Sequence, residues 1–344
     1  MDLTPNQTVS NGSNGPLNNS CGIDFGVDAV FLPVFYGIFF FVGLPLNLMA
    51  LYGLYRLVKS ENVLPVYVMN LLLSDLLQIV TLPLWIDYYS KGHYWQFGTR
   101  LCQVVGLVFY ISLYAGIFFL CLIALERHLA IARPLKFQSL RRLRYARWVA
   151  LGLWVVVALP PCIAFAVLFT KNNQNHLCIE KYPSDKQFII YRLVTLVLSF
   201  AIPFIFIVTL HMLTLRSLAG VSSLVEEEKK RIRRLLTMVV VIFLTVLGPY
   251  HLIGCVKYIG LLIHPISCEW ERSVFVYYQM GRALLSLNSL LDPVLYIFLR
   301  NDFRDKLYSS LCCLGRLQRR SHRPSPAVSD HVERQTNSTQ DSNM

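Results

Sequence analysis

Ionisable side chains set in apolar surroundings mark where this sequence can do chemistry. Asp75, Arg282 and Asp292 each interrupt a long run that carries few other charges. A charge at such a depth is costly in a lipid-like setting, so each needs a partner, an ion or a ligand. Glu126, Arg127 and His128 form a charged triplet at the end of another apolar run. Arg192 and Lys257 lie within or beside two more, where they either meet an anionic ligand or reach out to lipid headgroups. His93, His176, His251 and His264 belong to the one side-chain type whose ordinary pKa lies near physiological pH, although a surface histidine is usually only solvated. No metal-ligand spacing, phosphate-binding glycine loop, intramembrane Ser/His pair or paired-carboxylate protease signature is present. The chain reads as a non-enzyme, with no cofactor and no metal.

The elements that must position these groups are apolar helices. Of 344 residues 55% are hydrophobic and 15% charged, and the mean hydropathy is +0.48, which is too apolar for a soluble domain of this length. Seven stretches reach the ~20 residues needed to cross a bilayer core, and they predict helices at 28–57, 63–90, 99–133, 143–170, 187–219, 228–263 and 271–299. The expected fold class is an all-α membrane protein, a seven-transmembrane helix bundle with a short amphipathic eighth helix. Residues 1–27 are expected to be an extracellular glycosylated N-terminus, 28–299 the bundle, 300–311 the amphipathic helix and 312–344 a disordered cytoplasmic tail. The lack of a basic start and apolar run before residue 28 makes the first helix the expected anchor.

Orientation follows from charge. The net charge of +12 comes from basic residues in the segments between alternate helices, Arg133 to Arg147 and Lys229 to Arg234 among them. The positive-inside rule puts those segments and the C-terminus in the cytoplasm and the N-terminus outside the plasma membrane, and leaves nucleic acid a poor partner. Asn6, Asn11 and Asn18 open glycan acceptor patterns on the outer side. Asn337 opens another, but on the cytosolic side. Cys21, Cys102, Cys178 and Cys268 are the four outer cysteines, in the compartment where disulfides persist. Cys312 and Cys313 form a juxtamembrane pair that is either palmitoylated or free. Pro83, Pro160, Pro161, Pro203, Pro249 and Pro293 lie inside predicted helices, where each removes a donor and favours a kink. No internal repeat is visible, which weakens a transporter reading.

Taken in order along the chain, these residues resemble a rhodopsin-like (class A) G-protein-coupled receptor. The matching positions are Asn47, Asn70, Asp75, Cys102, Glu126-Arg127-His128, Trp154, Pro203, Pro249 and the run Asp292-Pro293-Val294-Leu295-Tyr296. The nearest likeness is to the proton-sensing, lysolipid and oxidised-fatty-acid receptors, through Leu82-Pro83-Leu84-Trp85-Ile86-Asp87-Tyr88, Cys178-Ile179-Glu180-Lys181-Tyr182-Pro183 and Pro249-Tyr250-His251. The chain departs from that pattern at several places. Leu247 replaces the usual aromatic switch, His211 the usual tyrosine and His128 the usual residue after the arginine, while Lys229 stands where an acidic lock residue is common. Gln279 and Val157 replace a histidine and a buried glutamate of the acid sensors.

The resemblance implies disulfides Cys102 to Cys178 and Cys21 to Cys268. It implies coupling to a heterotrimeric G protein through Glu126, Arg127, His128 and Tyr296, with Pro203, Ile117 and Phe243 relaying the change. It brings Asp75, Asp292 and Asn288 together in a site that shares a proton or a cation, because two carboxylates in one dry site cannot both stay ionised cheaply. With Phe109 in the place of an amine receptor's aspartate, it favours a small anionic, lipid-like ligand held by Arg282, Arg192 and Lys257, near His251, Phe109 and Tyr110. Protons are a further candidate signal, sensed by His93, His176 or His264. A receptor for nucleotides or other anions, and a seven-helix receptor that signals without G protein, remain open. Arrestin and a receptor kinase at the tail, and membrane lipids, complete the expected partners.

Overall fold

The computed structural model describes residues 21–57, 63–132, 142–168, 177–180, 182–220, 225–264 and 268–299. The expected amphipathic helix at 300–311, the tail, Cys312, Cys313, the glycan acceptors Asn6, Asn11 and Asn18, and His176 all lie outside the described residues.

Helix α1 runs Asp28–Leu57. The second span is divided into α2, Leu64–Ile79, and α3, Leu82–Ser90. Then come α4 (Thr99–Ala132), α5 (Leu143–Leu168) and α6 (Lys186–Gly220). The sixth span joins α7 (Glu226–Ile242) through a π-helical turn, Phe243–Leu247, to α8 (Gly248–Ile263). The seventh span consists of α9 (Cys268–Ser286) and α10 (Asn288–Leu299).

The first six spans are each long and apolar enough to cross a membrane. The core lies around α4. In α4 67% of the most apolar stretch is buried, against 22% in α1, so α4 is the central strut and α1 a lipid-facing outer helix. Exposed Phe35, Phe41, Trp148, Val156, Ile205 and Ile263 point the same way, since apolar side chains outside a helix bundle fit a lipid solvent.

Two of the three breaks within spans fall at prolines, where the backbone loses a donor. Pro83 sits in the first turn of α3, and Thr81 turns its hydroxyl back to donate to the Gln78 carbonyl at 2.7 Å. Pro249 sits in the first turn of α8, directly after the π-helical turn. Pro160, Pro161, Pro203 and Pro293 are accommodated within continuous helix, as are Pro33 and Pro45 in α1. Polar ties cross the bundle as well; Trp154 on α5, for one, donates its indole N–H to Asn70 Oδ1 on α2 at 2.9 Å.

Two disulfides close one end of the bundle. Cys102 at the start of α4 is bonded to Cys178, and Cys21 to Cys268 at the start of α9. Both pairings match those the family resemblance implied.

Candidate functional site

The disulfide end holds a lattice of buried charge. His93 is fully buried, stacked on Phe25 with ring centroids 4.2 Å apart. Its Nε2 lies 2.7 Å from Asp28 Oδ2 and its Nδ1 2.7 Å from Glu180 Oε2. Tyr88 donates its hydroxyl to the same Glu180 oxygen at 3.1 Å. The other Glu180 oxygen accepts from Arg282 Nη1 at 2.6 Å and from Gln279 Nε2 at 3.2 Å. Burial alone would raise the Glu180 carboxyl, but the His93 and Arg282 cations hold it well below the usual carboxylate range. Burial likewise opposes the His93 cation, and the facing Glu180 and Asp28 outweigh it, raising the imidazole pKa to about 9. Tyr182, buried beside Glu180, has its phenol pushed well above the ordinary value by burial first and the carboxylate second.

The peptide that carries Glu180 is tightly placed. Cys178 fixes it covalently to α4, and the Cys178 amide donates to Tyr88 Oη at 3.3 Å. Ile179 adopts φ of 64°, a left-handed conformation that β-branched residues rarely take. Its side chain fills the space over Gly106, where an added Cβ would lie 1.8 Å from Ile179 Cδ1. Glycine at 106 is what lets the peptide come this close.

A second cluster lies deeper between α4, α6, α8 and α9. Arg192 is buried, donates to the hydroxyls of Tyr278 at 3.0 Å and of Tyr250, and stacks its guanidinium 4.8 Å from the Tyr110 ring centroid. Lys257 is buried too, with Nζ 4.6 Å from the Tyr278 ring centroid and 5.4 Å from that of Tyr182. Among the described residues neither cation forms an ion pair with a carboxylate. The three cations that sequence reading grouped are therefore divided. Arg282 is engaged by Glu180 and lies 5.9 Å from the Phe109 ring centroid, while Arg192 and Lys257 share the ring of Tyr278. His251 sits below them, with Nδ1 2.7 Å from the Leu247 carbonyl and Nε2 3.3 Å from Ser199 Oγ. His264 is exposed at the end of α8.

Halfway through the bundle Asp75 and Asp292 are both buried, on the packed helices α2 and α10. Asn288 donates to Asp292 Oδ2 at 2.7 Å, whereas Asp75 Oδ2 and Asp292 Oδ1 have no hydrogen-bond partner among the described residues. Asn47 ties α1 to this region by donating to the Ser289 carbonyl at 2.7 Å.

At the far end Arg127 Nε lies 3.0 Å from Glu126 Oε2, and His128 Nδ1 lies 3.0 Å from Thr214 Oγ1 on α6. Ile117 and Phe243 belong to one buried cluster, with Pro203 buried in α6. Phe243 opens the π-helical turn and stacks on Phe200 at 5.4 Å. Tyr296 falls in α10, but its side chain lies outside the described residues.

Comparison with known proteins agrees with this geometry. Residues 46–296 match the family described as 7 transmembrane receptor (rhodopsin family). The chain belongs to that family. It is 32% identical over 317 residues to the human uracil nucleotide/cysteinyl leukotriene receptor, covering 91% of this chain and 84% of that protein. It is 32% identical over 281 residues to human G-protein coupled receptor 68, covering 81% and 76%. It is 33% identical over 306 residues to a mouse purinoceptor, covering 86% and 81%. The protein is thus a G-protein-coupled receptor of the proton, lipid and nucleotide group and not an enzyme.

For a receptor of this family, sequence reading missed two residues of the charge lattice and one further acid at the disulfide end. Asp28 reads in sequence only as the start of the first helix, Glu180 only as part of a resembling run, and Glu271 carries no signal at all. Glu271 is buried and accepts from the Ser184 hydroxyl at 2.7 Å and the Ser184 amide at 3.2 Å. The one available signal was an acidic residue two places after Cys178, a position that the disulfide carries to the mouth of the bundle.

Proposed function

We propose that this receptor responds to a small acidic molecule at the disulfide end, which faces the extracellular side, and passes the signal to a heterotrimeric G protein at the cytoplasmic Arg127 end. The observation that carries this reading is the buried pair Arg192 and Lys257, two cations walled by tyrosines with no carboxylate partner among the described residues. A buried charge is expensive unless something neutralises it. An anionic group on a ligand does so. Around the pair, Phe109, Tyr110, Leu196 and Tyr278 suit an aromatic or acyl body. The relatives support the same chemistry, because uracil nucleotides carry phosphates and cysteinyl leukotrienes carry carboxylates.

In this reading Asp75, Asp292 and Asn288 hold a proton or cation that biases the resting state, and Pro203, Ile117 and Phe243 transmit repacking toward Glu126, Arg127, His128 and Tyr296. Glycans on Asn6, Asn11 and Asn18, palmitate on Cys312 and Cys313, and a tail read by a receptor kinase and arrestin complete the proposal. A proton signal sensed at His176 or His264 is the second reading, supported by the likeness to G-protein coupled receptor 68; His93, the third histidine expected to sense protons, is held charged by Glu180 and Asp28 with its pKa raised to about 9 and so does not titrate between pH 6 and 8.

The test is guanine nucleotide exchange in membranes, driven by a panel of acidic lipids and nucleotides at pH 6, 7 and 8. Arg192→Gln and Lys257→Gln should each lower agonist potency about 10-fold or more, the loss expected for one charge-assisted contact. An uncharged agonist whose potency neither substitution moves would sink the reading.

A further inference from the structure

The structure assigns to Glu180 the part of a resident anion. It fills the place beside Arg282 that a second anionic group of a ligand would take, and so restricts the pocket to ligands with one anionic head, held at Arg192 and Lys257. This rests on the acidic-ligand reading and specifies its charge count.

Three observations carry it. First, Glu180 is saturated on both oxygens. One accepts from Arg282 and Gln279, the other from Tyr88 and His93. A carboxylate held by two cations and two neutral donors is not given up to a ligand without leaving several buried donors bare. Second, its backbone is fixed independently of those contacts, by the Cys178 disulfide, the Tyr88 hydroxyl and the left-handed Ile179 seated over Gly106. Holding a β-branched residue in that conformation needs surroundings that enforce it, and such constraint gathers where a side chain must be aimed. Third, the free cations lie next door. Tyr278, which Arg192 and Lys257 share, precedes Arg282 by one helical turn on α9, so the two anion positions are neighbours on one wall of the pocket.

Without Glu180, three cations would converge and favour polyanions. With it, the second position is occupied from within the chain. A nucleoside triphosphate then gains little over its monophosphate, because its extra phosphates find no free cation and face a carboxylate.

The experiment uses purified full-length receptor in lipid nanodiscs and measures direct binding of uridine 5′-monophosphate and 5′-triphosphate, which share one body and differ in anionic groups. In the native chain the two affinities should agree within about 3-fold, under 1 kcal/mol. Glu180→Gln should favour the triphosphate by about 10-fold or more, and Glu180→Gln with Arg282→Gln should abolish that gain. Should Glu180→Gln fail to fold, Arg282→Gln alone decides. A loss for the triphosphate that exceeds the loss for the monophosphate shows that ligand reaches Arg282 in the native chain and overturns the proposal, whereas equal effects uphold it. An unchanged ratio in Glu180→Gln also overturns it. Binding to neither probe by any form overturns the charge-count proposal, and binding indifferent to Arg192→Gln and Lys257→Gln overturns the acidic-ligand reading itself.

Discussion

His93 and Asp28, 65 residues apart in sequence, meet at 2.7 Å in a fully buried contact that fastens the turn after α3 to the first residue of α1.

The contact predicts a stability profile in pH. The imidazole pKa is raised from 6.5 to about 9 in the folded chain, with burial opposing and Glu180 and Asp28 prevailing. A raised value means that the folded state binds the proton more tightly than the unfolded one. The stabilisation is therefore complete below about pH 6.5 and is lost as pH rises toward 9, in total on the order of 3 kcal/mol. The thermal midpoint of the native receptor should fall between pH 7 and 9, and His93→Gln should have a lower, flatter profile. Parallel profiles for the two proteins would remove His93 from this role.

The Cys102 to Cys178 disulfide should be indispensable for delivery to the cell surface, because it alone ties the Glu180 peptide covalently to α4. Replacing either cysteine with serine removes about 2 to 5 kcal/mol. Surface labelling of intact cells should drop to a small fraction of native, with free thiol detectable at the remaining partner. Native surface levels for either variant would contradict this.

Glu126 lies 3.0 Å from Arg127 in a site where Glu126 is 4% and Arg127 29% exposed, so the pair is partly shielded from water. Glu126→Gln should weaken the pair and raise basal nucleotide exchange. Arg127→Ala should leave surface expression intact and abolish agonist-driven exchange. Undiminished exchange from the Arg127 variant would exclude it from coupling.

Asp292→Asn replaces one of two buried carboxylates with a neutral side chain of nearly equal size. If the Asp75 and Asp292 region biases the resting state, basal and agonist-driven exchange in Asp75→Asn and Asp292→Asn should shift relative to native between pH 6 and 8. Three superimposable curves would leave the two acids as bundle packing only.

Much of this architecture was legible in the sequence because apolar length alone dictates a membrane span. The predicted 99–133 and 143–170 became Thr99–Ala132 and Leu143–Leu168. Interruptions within spans were less legible. Pro83 foretold a kink but not a two-residue break at Val80 and Thr81, and no residue type announced the turn at Leu287. Hydropathy sums over a window and does not see where one backbone bond is exchanged for a contact with a neighbouring helix. The cations of the pocket were visible as charges in apolar runs. Their division was not, because it depends on Glu180, a loop residue 102 positions from Arg282, and pairings at that separation leave no periodic trace.

The π-helical turn at Phe243–Leu247 changes how positions in the sixth span should be counted. A π turn inserts one residue without adding a full turn, so everything before it is rotated about 100° relative to a straight helix measured back from Pro249. Residue counting assigns Lys229 to the place where many relatives keep an acid. Counted by turns, the residue before it, Glu228, takes the angular position that Lys229 would hold on a straight helix. Charge at the Glu226 end of the sixth span is then a matter of phase as well as composition.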